Sequence, residues 1–378
     1  MAGLYLHIPF CRQACRYCDF YFTVSLRYMN DVVNAMIQEL KLRSPDYRPY
    51  HFKSIYFGGG TPSVLDHHAL VKLFETIYKY YHIEDEVEFT FETNPDDVNK
   101  EYLDQLKKIG VNRISLGIQS FREEDLRLMR RSHDALQAKA SLDLIFNSGF
   151  VNVNADLIYG VPGMTTEDFE VNLMTMFDFP VPHLSAYHLT YEPGTVIDLW
   201  RQKKKITPVE EEQSLEQFKR LKMLSKVHSF EHYEISNFAK PGYRSIHNTN
   251  YWNFVPYIGI GPSAHSFHNN IRRWNIANNK RYIQALQHNE DGWYEEERLT
   301  RKDLYNEFIL LSLRTAWGIN LKELQKRFGD EYFQYTIEKA SMQIDSGNLI
   351  SENDAFRLTE KGLFISDHVV GEFFIVDD

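Results

Sequence analysis

Cysteine is scarce in this sequence. Its 378 residues include three, Cys11, Cys15 and Cys18, and all three lie in one short segment. An odd number of cysteines with no distant partner excludes the disulfide framework of a small secreted protein. We therefore predict that the three thiols are metal ligands or reactive groups.

Long apolar runs and an excess of basic charge are also missing. No run approaches the roughly 18 consecutive apolar residues of a membrane-spanning helix, and the N-terminus lacks the pattern of a secretory signal peptide. Lys and Arg number 42 against 52 Asp and Glu, a formal net charge of −10, which argues against nucleic acid or anionic lipid as a partner. We therefore expect a soluble cytoplasmic protein that does not bind nucleic acid.

The first half of the sequence alternates between two patterns. Short β-branched or aromatic runs, typical of buried strands, are followed by stretches with apolar residues three or four apart, typical of amphipathic helices. The predicted strands are Leu4 to Pro9, Ser54 to Phe57, Val87 to Thr93, Arg113 to Ile118, Val151 to Tyr159 and Leu184 to Tyr191. The predicted helices are Asn30 to Leu42, Leu70 to Tyr81, Lys100 to Ile109, Ala135 to Asn147 and Glu167 to Met176.

This alternation predicts an α/β fold with a parallel sheet. Six β/α units suit either an open doubly wound sheet or a partial barrel related to the TIM fold, and both place ligands at the carboxyl ends of the strands. Helix start and stop signals support these predicted helices. Thr165 with Asp168 fits a capping box, and Gly110 and Gly149 occur where helices should end.

Two further patterns follow residue 195. Residues 208–228 are predicted to form one helix, and the aromatic, glycine-containing stretch from His232 to Trp274 is predicted to form irregular strands and loops. From about Leu299, three helices (Leu304 to Thr315, Leu321 to Phe328, Glu331 to Ser346) and a β-wing pattern predict a winged-helix-like α+β appendage. Residues 301–378 contain nine Lys and Arg against fourteen Asp and Glu, which argues against DNA binding. We expect three domains, 1–195, 196–298 and 299–378.

The cysteines occur as Cys11-x3-Cys15-x2-Cys18, directly after the first predicted strand. Three thiolates on one short loop can bind three irons of a [4Fe-4S] cluster and leave the fourth iron open to a small molecule. The alternative is a zinc site that a histidine such as His7 completes. The cysteines alone leave both alternatives open.

Later strands also end in polar or glycine-rich residues. Successive glycines let the backbone approach a ligand, a carboxylate can accept hydrogen bonds from ribose hydroxyls, and a guanidinium can pair with a carboxylate. These residues are Gly58, Gly59, Gly60 and Thr61 after the second strand, Glu92 at the end of the third, Gln119 and then Arg131 after the fourth, and Asp156 in the fifth. Both candidate folds place ligands at the carboxyl ends of their strands (the strand rule), so we predict that these residues meet at one ligand site.

The motif CxxxCxxC at this position resembles the signature of the radical S-adenosylmethionine (SAM) superfamily. The resemblance implies a partial β/α barrel in which Cys11, Cys15 and Cys18 hold a [4Fe-4S] cluster. It also implies that the open iron binds the amino and carboxylate groups of SAM, and that the reduced cluster cleaves SAM to a 5′-deoxyadenosyl radical.

The ordered set of strand-end residues, with Tyr5 before the cysteines and Tyr17 among them, resembles the oxygen-independent coproporphyrinogen III oxidase family, including its HemW subgroup of haem chaperones. The resemblance extends from Leu4 through the C-terminal appendage. It implies that Tyr5, Gly59 and Glu92 line one SAM site. In members that bind two SAM molecules, the second is lined by the positions of Tyr17, Gly60, Thr61, Gln119, Arg131 and Asp156.

Two features favour the HemW subgroup. The cysteine motif begins at residue 11, so we expect the chain to lack the long segment that precedes it in coproporphyrinogen dehydrogenases. The sequence HNTNYW, from His247 to Trp252, resembles the HNxxYW motif of HemW. An imidazole can ligate haem iron while aromatic rings cover the porphyrin, so His247 is the candidate haem ligand and His265 a second one. The alternative is a packed loop with a hydrogen-bonded histidine.

The expected function is that of a haem chaperone that binds haem, a [4Fe-4S] cluster and SAM and delivers haem to hemoproteins. The expected partners are haem or a related porphyrin, a haem-accepting protein that can be membrane-bound, a reductant for the cluster and a second copy of the chain. An alternative is an enzyme, an oxygen-independent coproporphyrinogen III dehydrogenase that forms protoporphyrinogen IX by oxidative decarboxylation, so enzymatic activity stays open. The net charge of −10 and the strand-end residues argue against a third alternative, a zinc-containing winged-helix regulator.

Overall fold

A computed structural model describes residues 1–376. Its first half contains six parallel strands, paired in chain order within one sheet. The strands are β1 (Ala2–Ile8), β2 (His51–Gly59), β3 (His82–Thr93), β4 (Arg113–Gln119), β5 (Asn152–Tyr159) and β6 (His183–His188). The helices between them are α1 (Met29–Tyr47), α2 (His67–Tyr80), α3 (Lys100–Lys108), α4 (Glu123–Met129), α5 (Ala135–Asn147) and α6 (Thr166–Phe177). The predicted partial (β/α)6 barrel is confirmed.

Local sequence signals determine several helix ends. α6 begins after the capping box of Thr165 and Asp168, in which each side chain accepts a hydrogen bond from the other residue's backbone N–H. Gly110 and Gly149 follow α3 and α5 with φ of +92° and +86°, a left-handed conformation that terminates helices and that glycine adopts without strain.

The barrel strands alternate between an apolar and a polar face. In β2, Ile55 is fully buried in the hydrophobic core, whereas Ser54 and Tyr56 form polar contacts with residues of other elements. Because successive side chains of a strand point to opposite faces, one face of the sheet packs on the helices and the other lines the barrel interior with polar groups.

Residues 196–298 extend the same sheet at both ends. They form α7 (Val196–Gln202), α8 (Glu211–Val227), β7 (Glu231–Glu234), β8 (Asn237–Ala239), α9 (Ile246–Trp252), β9 (Tyr257–Ile260), β10 (His265–His268), β11 (Ile271–Asn275), α10 (Asn279–His288) and β12 (Tyr294–Arg298). β8 pairs antiparallel with β6, and β9 pairs parallel with β1. In the described chain the sheet has twelve strands, with the order β12-β11-β10-β9-β1-β2-β3-β4-β5-β6-β8-β7.

The strands predicted between His232 and Trp274 are present, but the prediction of irregular strands and loops missed the helix α9. The segment contains a helix and regular strands, but each is only three to seven residues long. Elements this short show no clear hydrophobic period, and their pairing with distant strands stabilises them.

A buried carboxylate attaches this extension to the barrel. Glu39 of α1 accepts hydrogen bonds from Asn275 Nδ2 at 2.9 Å, from the Gly261 backbone N–H at 2.9 Å and from the Tyr282 hydroxyl. Arg43, one turn later, forms an ion pair with Glu39 and donates a hydrogen bond of 2.9 Å to the Gly259 carbonyl.

The C-terminal part has its own hydrophobic core. It consists of α11 (Arg301–Leu313), β13 (Ile319–Asn320), α12 (Leu321–Asp345), β14 (Leu349–Glu352), β15 (Ala355–Leu358), α13 (Glu360–Phe364) and α14 (Ser366–Gly371). α12 is interrupted at Gly329, where φ is +74°, between the two helices that the sequence predicts there. The three strands form a separate small sheet, as expected of a winged-helix-like appendage. The exact domain boundaries stay a prediction.

Across residues 1–376, no helix combines the length and apolar character that a membrane span requires.

Candidate functional site

A cavity of about 1070 Å³ lies at the carboxyl ends of the barrel strands. Of the residues that the sequence predicts for the site, Tyr5, Gly58, His247 and His265 do not line it. The predicted residues that line it are Cys11, Cys15, Tyr17, Cys18, Gly59, Gly60, Thr61, Glu92, Gln119, Arg131 and Asp156. The strand rule thus brings together residues that are up to 145 positions apart in the sequence.

The three cysteines lie on the loop after β1 and are free and half-buried. The Thr61 hydroxyl donates to Cys11 Sγ at 3.4 Å, and Arg131 donates to Cys15 Sγ at 3.4 Å. Burial raises the pKa of Cys11 to about 11 and that of Cys18 to about 12. These thiols are therefore protonated at neutral pH until a metal displaces the protons. Three free thiols facing one cavity fit a cluster in which each thiolate binds a different iron.

The arrangement does not favour the zinc alternative. His7 is buried, with Nδ1 3.2 Å from the Tyr5 hydroxyl and Nε2 2.8 Å from the Tyr21 carbonyl oxygen. Both ring nitrogens of His7 are thus engaged. Within residues 1–376, no three His, Cys, Asp or Glu side chains converge on the position of one metal ion, as a mononuclear zinc site requires.

The glycines after β2 allow the loop to pack against β1. A Cβ on Gly60 would lie 2.6 Å from the Phe10 carbonyl oxygen, and one on Gly59 would lie 2.6 Å from His7 Nδ1. Gly59 also has φ of +103°, which side chains disfavour. Any other residue would move this loop away from the cysteine loop, so the glycines keep backbone groups at the cavity surface.

Two carboxyl groups face the cavity in unusual environments. Glu92 accepts a hydrogen bond of 2.8 Å from the Tyr56 hydroxyl. Burial, with a smaller contribution from the charge of Asp156, raises the pKa of Glu92 to about 8. Burial raises the pKa of Asp156 to about 6, although a hydrogen bond of 2.7 Å from Asn154 Nδ2 opposes the shift. A cationic or hydroxyl-rich ligand would favour the ionised form of both groups.

Gln119 and Arg131 lie beside these carboxyls. Gln119 has φ of +71°, a strained conformation for a residue other than glycine and one that is common at ligand sites. Arg131 Nη2 donates to the Gly117 carbonyl at 2.8 Å, whereas its Nε is buried with no hydrogen-bond partner in the described residues. The guanidinium is thus fixed in place with one donor unused.

Tyr5 and His247 lie inside the barrel and do not line the cavity. The Tyr5 ring packs near Tyr56 and His247, with centroid separations of 6.0 and 6.3 Å. His247 is 2% exposed, and its Nδ1 and Nε2 lie 2.8 Å from the Ser54 hydroxyl and 2.9 Å from the Tyr251 hydroxyl. Burial lowers the pKa of His247 to about 3, so it is neutral.

The N-terminus of α9, the helix that carries HNTNYW, is capped by a side chain of the barrel. The buried carboxylate of Glu88 in β3 accepts hydrogen bonds of 2.9 Å from the backbone N–H groups of Ile246 and His247. In this arrangement neither nitrogen of His247 is free. The geometry therefore does not support the expectation that His247 ligates haem, and it corresponds to the packed alternative.

Several cavity residues were not predicted from the sequence. They are Tyr187 and His188 at the end of β6, Phe218 on α8, and Arg314 and Phe364 from the appendage. The strand rule, applied to the sixth predicted strand, indicates Tyr187 and His188. No sequence signal indicates the others, because they come from elements outside the β/α repeat.

Comparisons with known proteins agree with this fold. The family model described as the radical SAM superfamily matches residues 5–174, and the model described as the HemN C-terminal domain matches residues 299–365. The chain is 32% identical to the heme chaperone HemW of Bacillus subtilis, with 99% of each chain covered. It is 31% identical to the heme chaperone HemW of Haemophilus influenzae, with 100% of this chain and 98% of the relative covered.

A solved structure shows the same fold. The coproporphyrinogen III oxidase HemN of Escherichia coli, described as a radical SAM enzyme, superposes with a TM-score of 0.85 at 22% identity. The superposition covers 98% of this chain and 89% of HemN.

Proposed function

We propose that this chain, which belongs to the HemW family within the radical SAM superfamily, is a haem chaperone. It binds haem together with a [4Fe-4S] cluster and SAM, and it delivers the haem to a haem-accepting protein. The observation that carries the proposal is the composition of one cavity. Its cysteine loop and carboxyl groups suit a cluster and SAM, and its opposite wall is aromatic.

The cluster and SAM are assigned to the β1 to β5 side of the cavity. Cys11, Cys15 and Cys18 would each hold one iron. A reduced cluster supplies the electron that cleaves SAM in radical SAM proteins. The residues around the cluster would bind SAM.

The backbone at Gly59 and Gly60 offers close approach to SAM. Glu92 and Asp156 offer acceptors to its amino and ribose hydroxyl groups, and Arg131 places a cationic guanidinium at the cavity wall for its carboxylate.

Haem is assigned to the remaining space. A cavity of about 1070 Å³ exceeds the roughly 300–1,000 Å³ of typical small-molecule pockets. In this proposal a flat ligand beside SAM occupies the aromatic side of the cavity. Under this proposal a reductant for the cluster is a further partner, and a membrane-bound acceptor and a second copy of the chain stay predictions from the sequence.

The proposal is tested by anaerobic reconstitution of the cluster, followed by incubation with SAM and either ferric haem or coproporphyrinogen III. We expect stoichiometric haem binding, seen as a Soret band, and transfer of the haem to apomyoglobin as a model acceptor. We expect no conversion of coproporphyrinogen III. Conversion at enzymatic rates would favour the dehydrogenase alternative, and a chain that binds no haem would contradict the proposal.

A further inference from the structure

His188 is the one histidine among residues 1–376 that lines the large cavity. It is the last residue of β6, on the opposite side of the barrel sheet from the cysteine loop that follows β1. Its side chain is exposed to the cavity, unlike the buried imidazoles of His7, His133, His183 and His247. A ligand in the cavity can therefore reach it.

A continuous aromatic wall extends from His188 to the appendage. The His188 ring packs edge-on against Tyr159, with the centroids 5.1 Å apart. Tyr159 stacks with Phe218 of α8 at 6.4 Å, and Phe218 packs edge-on against Phe364 of α13 at 5.4 Å. All four side chains line the cavity. Such a wall suits the face of a large, flat, apolar ring.

The His188 imidazole is also in a suitable chemical state. Burial lowers its pKa, which favours the neutral imidazole that binds metals. Its Nε2 lies 3.0 Å from the hydroxyl of Ser214, which also lines the cavity. A ligand at Nε2 would displace this hydroxyl. The two partners of His247, in contrast, belong to the barrel interior.

A cation lies at the appendage end of the wall. Arg314 lines the cavity and pairs with Asp367 through Nη2 at 2.9 Å. The Arg314 side chain is 32% exposed, so its guanidinium can approach an anionic group in the cavity, such as a carboxylate at the edge of a flat ring.

We infer that His188 is the axial ligand of the haem iron, with the porphyrin against the wall formed by Tyr159, Phe218 and Phe364 and a propionate at Arg314. This inference rests on the proposed haem-binding function, and it assigns the ligand to the cavity and not to the HNTNYW motif. The site would then hold haem between the barrel and the appendage.

The test is a titration of the full chain with ferric haem, comparing wild type, His188→Ala, His188→Met and His265→Ala. His265 is the matched control, because it is an exposed histidine on β10 that does not line the cavity. We expect His188→Ala to weaken haem binding at least tenfold and to change the Soret maximum and the electron paramagnetic resonance g values. Added imidazole should restore the wild-type signature, and His265→Ala should behave as wild type.

His188→Met keeps the test valid if the alanine variant does not fold. A thioether ligand should retain haem with a spectrum distinct from that of wild type. Unchanged spectrum and affinity in both His188 variants would overturn the inference, as would loss of the axial signature in His247→Ala but not in His188→Ala. A wild-type chain that binds no haem would instead overturn the proposed function itself.

Discussion

The Tyr56 hydroxyl donates a hydrogen bond of 2.8 Å to Glu92 Oε1, and the Tyr56 ring packs on the His247 imidazole with the centroids 5.0 Å apart. The HNTNYW helix thus contacts a residue that orients a carboxyl group of the cavity. The motif supports the proposed SAM site from inside the barrel.

Replacing Tyr56 with Phe removes one hydrogen bond to Glu92 and keeps the ring contact with His247. We expect SAM to bind about twofold to twelvefold more weakly, because one hydrogen bond contributes about 0.5–1.5 kcal/mol. Isothermal titration of the reconstituted protein measures this effect. Unchanged SAM affinity would show that Tyr56 does not position Glu92 for SAM.

Glu92 should make the stability of the chain depend on pH. Its folded pKa is about 8 and its ordinary value 4.5, so between these values the folded state binds a proton that the unfolded state has released. The stabilisation is fully present below the ordinary pKa and is lost as the pH rises through the folded pKa. As the pH rises from about 5 to 8, the urea midpoint of unfolding should therefore fall less for Glu92→Gln than for wild type. Both proteins are measured without cluster or SAM. Equal losses would contradict the raised pKa.

Loss of one thiol should prevent assembly of the cluster. In Cys15→Ala we expect the broad visible absorption of the reconstituted protein to disappear and the iron and sulfide contents to fall. Gln13→Ala is the control, because Gln13 is on the same loop, donates to the Arg130 carbonyl at 2.7 Å and leaves the three thiols in place. Full iron and sulfide in Cys15→Ala would exclude the assignment.

Asp156→Ala and Gln119→Ala should weaken SAM binding. A charge-assisted contact contributes on the order of 1.5–3 kcal/mol, which corresponds to roughly tenfold to hundredfold in affinity. Asp178→Ala serves as the control, since Asp178 is an exposed acid at the end of α6. If both cavity variants bind SAM as wild type does, these residues do not belong to the SAM site.

The buried Glu39–Arg43 pair should be important for stability. Glu39→Ala leaves Arg43 buried without its partner carboxylate, and removing one partner of a buried pair costs about 3–5 kcal/mol. The free energy of unfolding in urea measures this loss. The double variant Glu39→Met with Arg43→Met should be more stable than Glu39→Ala, because it leaves no unpaired buried charge. A small loss in Glu39→Ala would mean that solvent reaches the pair.

Local signals in the sequence predicted most of the barrel and of its site. α5 has the predicted bounds Ala135–Asn147, and α6 begins at the predicted capping box. Such features depend on residues within a few positions of one another, so a sequence alone reveals them. The strand-end residues could be grouped because all parallel strands of one sheet place their carboxyl ends at the same edge.

The tertiary structure alone decided where His247 and His188 lie. Both are histidines near aromatic residues in the sequence, but His247 is enclosed by Ser54 and Tyr251, whereas His188 opens to the cavity. Burial depends on which distant segments pack on a residue. β9 pairs with β1 and Phe364 packs on Phe218 across separations of about 250 and 146 positions, and neither contact has a local pattern from which it could be predicted.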